Sequence, residues 1–166
     1  MIHIDFHSPA ELPGNEAKRQ KAVEQSGILK RRRDPALQKL VDEAATLFQA
    51  PIAALSVIDR DRQWFAARTG VDAEETPRAV SFCAHAIHRP GEPLVVPDAR
   101  RDRRFAGNPL VMFAPQIRFY AGVPLVDRQG YPLGALCVID SQPREEPPNL
   151  FELSLLAREA ERLIGK

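Results

Sequence analysis

Two hydrophobic rhythms alternate along the chain. From Pro35 onward, apolar residues return every three or four positions (Leu37, Leu40, Val41, Ala44, Ala45, Leu47, Phe48), the period of a helix with one buried face. Asp34 ahead of Pro35 marks the start, because a carboxylate accepts from first-turn amides and proline gives up only an N–H that would be orphaned there. The helix has to end before Pro51. At Ile52 the rhythm changes to the unbroken run "IAALSVID", followed after Arg60-Asp61 by "RQWFAARTG", two strands of a hairpin. A second hairpin is written in "IRFYAGVPLV" and "PLGALCVID", separated by "DRQGY", whose Gly130 suits a turn with positive φ. The last segment, "LFELSLLAREAERLIG", is helical again, with Leu150, Leu153, Leu155 or Leu156, Ala160, Leu163 and Ile164 in phase and Asn149 as the cap.

Between the hairpins the elements are shorter. Residues Asp72 to Pro77 read as a polar loop, and Ser81 caps a short helix through His88 that Arg89-Pro90-Gly91 stops. "PLVVPD" is a brief strand; Asp98 caps a second short helix, "ARRDRRF", which runs into the loop "AGNPLVMFAPQ". Strands joined by tight turns imply an antiparallel sheet that must be covered by helices, so the expected class is α+β, with a central antiparallel sheet and helices on both sides. Upstream, residues 1–14 hold two prolines and a glycine without a period and read as a loosely ordered terminus or docking arm. The expected division is an arm and basic lead-in over 1–33 and a folded domain over 34–166.

Composition narrows the class. At 166 residues, 44% hydrophobic and 27% charged, the chain fits one globular domain, and no apolar run approaches the roughly 20 residues of a membrane span. Its start lacks the pattern of a signal peptide, and two cysteines are too few for a disulfide scaffold, so a cytoplasmic location away from membranes is expected. The net charge of +1 conceals a cluster between Glu16 and Arg33 with seven basic residues (Lys18, Arg19, Lys21, Lys30, Arg31, Arg32, Arg33) against Glu16 and Glu24. No aromatic residue is interleaved there for base stacking, so the cluster reads as a solvated, partly helical lead-in and nucleic acid is disfavoured as a partner.

The stretch "SFCAHAIH" concentrates the reactive side chains. On a helix His85 and His88 are one turn apart, but Cys83 lies about 200° around from His85, which disfavours a shared metal ion. Only the distant His3 and His7 complete the histidines. Cys83 near a helix start has the dipole that acidifies a thiol, yet a histidine two residues on faces elsewhere and is no activating base. The plainer reading packs Phe82, Cys83 and Ala86 inward. No Gly-rich phosphate loop is present. Further on, Arg118 and Tyr120 alternate with Ile117, Phe119 and Ala121, so one sheet face gains a guanidinium and a phenol. Arg118 suits a planar anion, or else pairs with Asp98 or Asp102 to hold the short helices onto the sheet. Phe105, Asn108, Pro109 and Val111 lie in a segment placed to act as a lid, and Trp64 reads as core or interface.

Together, "RAVSFCAHAI", "LVVPDARRDRRFAGNPLV", "IRFYAGVPLVDRQGYPLGALCVID" and Pro143-Arg144 resemble the GAF domain of bacterial signalling proteins, the type found beside histidine kinases and diguanylate cyclases. The likeness runs from about Pro35 to Leu163. It implies a sheet with a helical dimerisation layer on one side and a small-molecule pocket under the short helices on the other. The expected function is that of a sensory domain acting through ligand-dependent helix packing in a homodimer, with output by contact with a downstream signalling protein and no catalysis of its own. Candidate ligand contacts are Phe82, Cys83, His85, Asp98, Asp102, Phe105, Arg118 and Tyr120; no cofactor is assigned. Free methionine-(R)-sulfoxide reductases are similar to GAF domains and use grouped cysteines, but Cys137 sits in an apolar strand and reads as core, leaving Cys83 without an evident resolving partner. A purely structural dimer module is the third reading. Bilin-carrying relatives place histidine directly after the attachment cysteine, whereas Ala84 intervenes here, and the Asn-Lys…Phe…Asp-Glu signature of cyclic-nucleotide-binding relatives is absent.

Overall fold

A computed structural model describes residues 7–146 and 148–165. Six strands form one antiparallel sheet: β1 (Ile52–Asp59), β2 (Arg62–Thr69), β3 (Glu75–Pro77), β4 (Leu94–Val96), β5 (Phe119–Val126) and β6 (Pro132–Asp140), in the order β3-β2-β1-β6-β5-β4. Among the described residues five α-helices accompany it: α1 (Glu16–Ser26), α2 (Pro35–Phe48), α3 (Cys83–Ala86), α4 (Pro109–Met112) and α5 (Phe151–Ile164). The fold is α+β with helices on both faces, as the alternation of rhythms implies. The run in β1 is apolar but for Ser56 and the terminal Asp59, because β1 and β6 sit at the centre of the sheet and every residue of β1 is buried.

Alternation then sorts the side chains. Ala53, Leu55, Val57, Phe119, Ala121, Val123, Leu136 and Val138 face the long helices, while Ala54, Ile58, Tyr120, Ala135 and Cys137 face α3, α4 and the turns. The long-helix face holds the larger core, which takes Leu37, Leu40, Val41 and Ala44 from α2 and Leu153, Ala157, Ala160 and Ile164 from α5. Asp34 caps α2 as its sequence suggests, its side chain accepting from the amides of Ala36 and Leu37. Gly130, at φ 88°, closes the β5–β6 turn, with the Asp127 side chain accepting from the amides of Gln129 and Tyr131.

Several segments depart from the sequence reading. The basic lead-in is in part buried: α1 lies on the sheet through Ala22 and Val23, and Arg19 is fully enclosed, its guanidinium donating to the carbonyls of Ile58 (2.7 Å) and Pro132 (3.2 Å) and to Glu16. A buried arginine survives there because each of its three guanidinium nitrogens meets an acceptor. The loop at 72–77 contributes the edge strand β3, recruited by pairing with β2 rather than by its polar composition. The short helix from Ser81 spans only Cys83–Ala86, although Ser81 Oγ does accept from the Ala84 amide (3.0 Å). After Asp98 the chain makes a single 3-10 turn, Ala99–Arg101. Met1 to Phe6, with His3, lie outside the described residues; the remainder of the arm is docked on the short-helix face, where Ser8 N donates to the Arg104 carbonyl (3.0 Å).

Candidate functional site

The short-helix face is where the candidate residues gather. Phe82 stacks on Phe105 with ring centroids 3.9 Å apart and planes 7° from parallel, and the edge of His85 meets Phe105 at 4.8 Å. Beneath this aromatic layer, Cys83 Sγ lies 3.0 Å from Tyr120 OH, both fully enclosed. The phenol reaches that depth because Gly122, two residues along β5, has no side chain: a Cβ there would lie 2.2 Å from the Tyr120 oxygen. Gly122 pairs across the sheet with Cys137, and Ala54 pairs with Cys137 from the other side. Ser56, which lies opposite Ala135 in β1, brings its hydroxyl to the same region, buried and without a hydrogen-bond partner among the described residues. The result is a small polar group of two thiols, a phenol and a hydroxyl inside an otherwise apolar packed cluster, called the chamber below for its position under the short helices.

Its electrostatics follow from burial and shared protons. Cys137 lowers the Cys83 thiol against the opposing effect of burial, helped by Ser56 and Tyr120; Cys137 and Ser56 act by proximity, whereas Tyr120 makes a regular hydrogen bond to the sulfur. The nearby Cys83 and burial push Cys137 well up, and burial with the adjacent sulfurs does the same to Tyr120. His85 is shifted down, chiefly by burial, while its Nε2 meets the carbonyl of Ser8 at 2.9 Å. His88 Nε2 meets the Glu11 carbonyl, so the arm is pinned across α3 at two points. A carbonyl only accepts, so both imidazoles carry their proton on Nε2.

Three sequence candidates do not join this group. Asp98 binds Arg100 (2.7 Å) and Asp102 binds Arg104 (2.8 Å), both within their own turns at the outside of the face. The Arg100 hydrogen bond lowers Asp98, and Arg104 outweighs burial to lower Asp102. The expectation that either aspartate holds Arg118 is therefore corrected: Arg118 donates to the main-chain carbonyls of Val111 (2.9 Å) and Ile117 (3.3 Å) and braces the α4 segment. The alternation that put it beside Tyr120 fails because β5 begins only at Phe119, and Ile117 packs on the short-helix side. Val111 is plain packing, and Asn108 caps α4 while donating to the Val80 carbonyl (3.1 Å). Trp64 is 8% exposed and belongs to the long-helix core.

Cys137 and Ser56 are the members that sequence reasoning missed. Cys137 was read as core, and it is buried, but its neighbour across the chamber is Cys83. The signal for both was present in strand parity: Ser56 and Cys137 share parity with Ala54 and Ala135, the short-helix face, once β1 and β6 are paired in register.

A groove of ≈ 300 Å³ opens beside the chamber, lined by His85, His88, Arg89, Leu94 and Arg104. A larger cleft, ≈ 520 Å³, lies away from it at the outer edge of β2. Its arginines are engaged: Arg32 with Glu74, and Arg68 with the carbonyls of Val71 and Asp72.

This architecture recurs in known proteins. The chain is 47% identical over 132 residues to a cyclic di-GMP phosphodiesterase of Pseudomonas aeruginosa; the match takes in 80% of the chain but only 22% of that relative, so the chain spans about a fifth of its length. Among solved structures, the GAF domain of an Acinetobacter phosphoenolpyruvate-protein phosphotransferase superposes with a TM-score of 0.61 at 18% identity, covering 89% of this chain and 91% of the other. The PixJ GAF domain of Thermosynechococcus elongatus gives 0.62 at 16% identity over 93% and 90%. Free methionine-R-sulfoxide reductase of Neisseria meningitidis gives 0.60 at 18% over 99% and 98%. At these identities the structural likenesses establish the fold alone. The GAF domain family matches residues 32–163, and the chain belongs to that family.

Proposed function

We propose that this GAF domain is a non-catalytic small-molecule sensor whose ligand is received on the short-helix face, at the chamber formed by Cys83, Phe105, Tyr120 and Cys137. The observation that carries the reading is the kind of cover that face has. A sheet face sealed by four-residue helices and a docked arm opens at lower cost than one sealed by fourteen-residue helices, and it hides a hydroxyl, on Ser56, that no group among the described residues satisfies. Of the cations near this face, Arg104 is paired with Asp102 and Arg118 is held by main-chain carbonyls of the α4 segment, which favours a small neutral ligand that hydrogen-bonds to hydroxyl or thiol groups. The rearrangement it induces is a population shift between packings of α3 and α4.

Output passes through the opposite layer. Phe151, Leu155 and Leu47 are exposed by 67%, 53% and 47% on α5 and α2, an apolar surface suited to a second copy of the chain. The kinship with a cyclic di-GMP phosphodiesterase suggests a cytoplasmic setting in which such a dimer regulates turnover of that messenger by contact with a downstream module. Native mass spectrometry of the purified chain, compared with its denatured mass, tests the sensor reading. A non-covalent mass excess, lost in Tyr120→Ala and retained in Leu155→Arg, supports it; a chain that takes up no neutral metabolite from a cell extract overturns it.

A further inference from the structure

We propose that Cys83 and Cys137 are a peroxide-oxidisable pair that closes into an intramolecular disulfide tying α3 to β6. The inference goes beyond the sensor reading and requires no ligand. Cys83 opens α3, and its sulfur lies 3.0 Å from Tyr120 OH. That same oxygen lies over Gly122, the cross-strand partner of Cys137, and Cys83, Tyr120 and Cys137 belong to one buried cluster, so the two cysteines reach the same region from two different elements. Ser56 Oγ, buried and without a partner among the described residues, adds a polar group that apolar packing does not account for. The Cys83 thiol is shifted down and the Cys137 thiol up, which makes Cys83 the first to ionise and Cys137 the reserve.

The chemistry balances in two steps. The Cys83 thiolate attacks the O–O bond of a hydroperoxide, taking one oxygen as sulfenic acid while the other leaves as water or alcohol after protonation. The Cys137 sulfur then attacks the sulfenic sulfur; an S–S bond forms, the S–O bond breaks, and the hydroxide leaves as water with the Cys137 proton. Two thiols lose two electrons and the peroxide gains them. Access requires only local opening of α3, a single turn bounded by Ser81 and Arg89-Pro90-Gly91.

The full chain is exposed to hydrogen peroxide, and its intact mass and non-reducing peptide map are read. The expected result is a monomeric chain lighter by about two mass units, one cross-linked peptide joining Cys83 to Cys137, and full reversal by dithiothreitol. In Cys137→Ser, sulfenic acid trapped by dimedone at Cys83 rises about tenfold, because its resolving partner is gone. The proposal falls if the native chain keeps both thiols at peroxide levels that oxidise the urea-unfolded chain, if the bond joins two chains, or if Cys137 is the thiol that dimedone labels. Because the decisive reading uses the unaltered protein, a variant that fails to fold does not mask the answer. Bound ligand is read separately by native mass, so failure of either idea leaves the other standing.

Discussion

At Gly122 a single missing methyl group decides what the chamber contains. The Tyr120 ring occupies the space a Cβ would take, with its oxygen 2.2 Å and its Cζ 2.7 Å from that position. Gly122→Ala therefore forces the ring out and is expected to destabilise the fold by about 2–3 kcal/mol, an overpacking cost. In a Tyr120→Ala background the same substitution loses most of its effect, and urea unfolding of the four proteins of the cycle measures that coupling. Tyr120→Phe keeps the ring and removes only its contact with Cys83, with an expected loss of about 1 kcal/mol. Neither the glycine's role nor the pairing of Cys83 with Cys137 was legible in sequence, since both depend on which residues the register places opposite one another.

Among the elements, α1 has the least legible role. Its composition is that of a solvated segment, yet Glu16, Arg19 and Arg78 form a knot that fastens it to the end of β1 and the start of β6, with Arg78 donating to Glu16 at 2.5 Å. Burial raises the Glu16 carboxyl, but hydrogen bonds and charge from Arg19 and Arg78 outweigh it and hold the group at about 2. A depressed carboxylate stabilises the fold above its unfolded value near 4.5, and that stability fades as pH falls from there toward 2. Glu16→Gln should flatten this acid limb, by about 1–2 kcal/mol after allowance for the carboxylate's partial solvent contact, as read from urea midpoints across the range. Arg19→Met removes the buried cation from the carbonyls of Ile58 and Pro132 and is expected to cost about 3 kcal/mol, detectable as a lower thermal midpoint. By contrast α2, α5 and both hairpins were readable, because an amphipathic period and two apolar runs joined by a short polar turn are local properties that survive in any tertiary context.

At the scale of the molecule, one sheet separates a layer of fourteen-residue helices from one of four-residue helices. The exposed apolar residues of α2 and α5 predict a dimer, and Leu155→Arg should yield a monomer with unchanged thermal stability in light scattering, since that side chain is 53% exposed. Leu156 would be a poorer probe because it is partly buried against the core. On the other side, the arm pinned by His85 and His88 governs access to the thiols. His85→Ala with His88→Ala is expected to raise the rate at which iodoacetamide alkylates Cys83 by about tenfold, an opening effect worth roughly 1.4 kcal/mol.

The sequence by itself determined the α+β class, the two hairpins, the capped helix from Asp34 and the family likeness carried by "SFCAHAI" and the β5–β6 block, because periodicity, caps and turn residues act between near neighbours. Tertiary structure alone decided that Arg118 braces main-chain carbonyls instead of Asp98 or Asp102, that Arg19 is buried, and that Ser56, Cys83, Tyr120 and Cys137 meet in one chamber. Those outcomes rest on strand register and on which acceptors remain free once the sheet has formed, and both are properties of pairs of residues far apart in the chain.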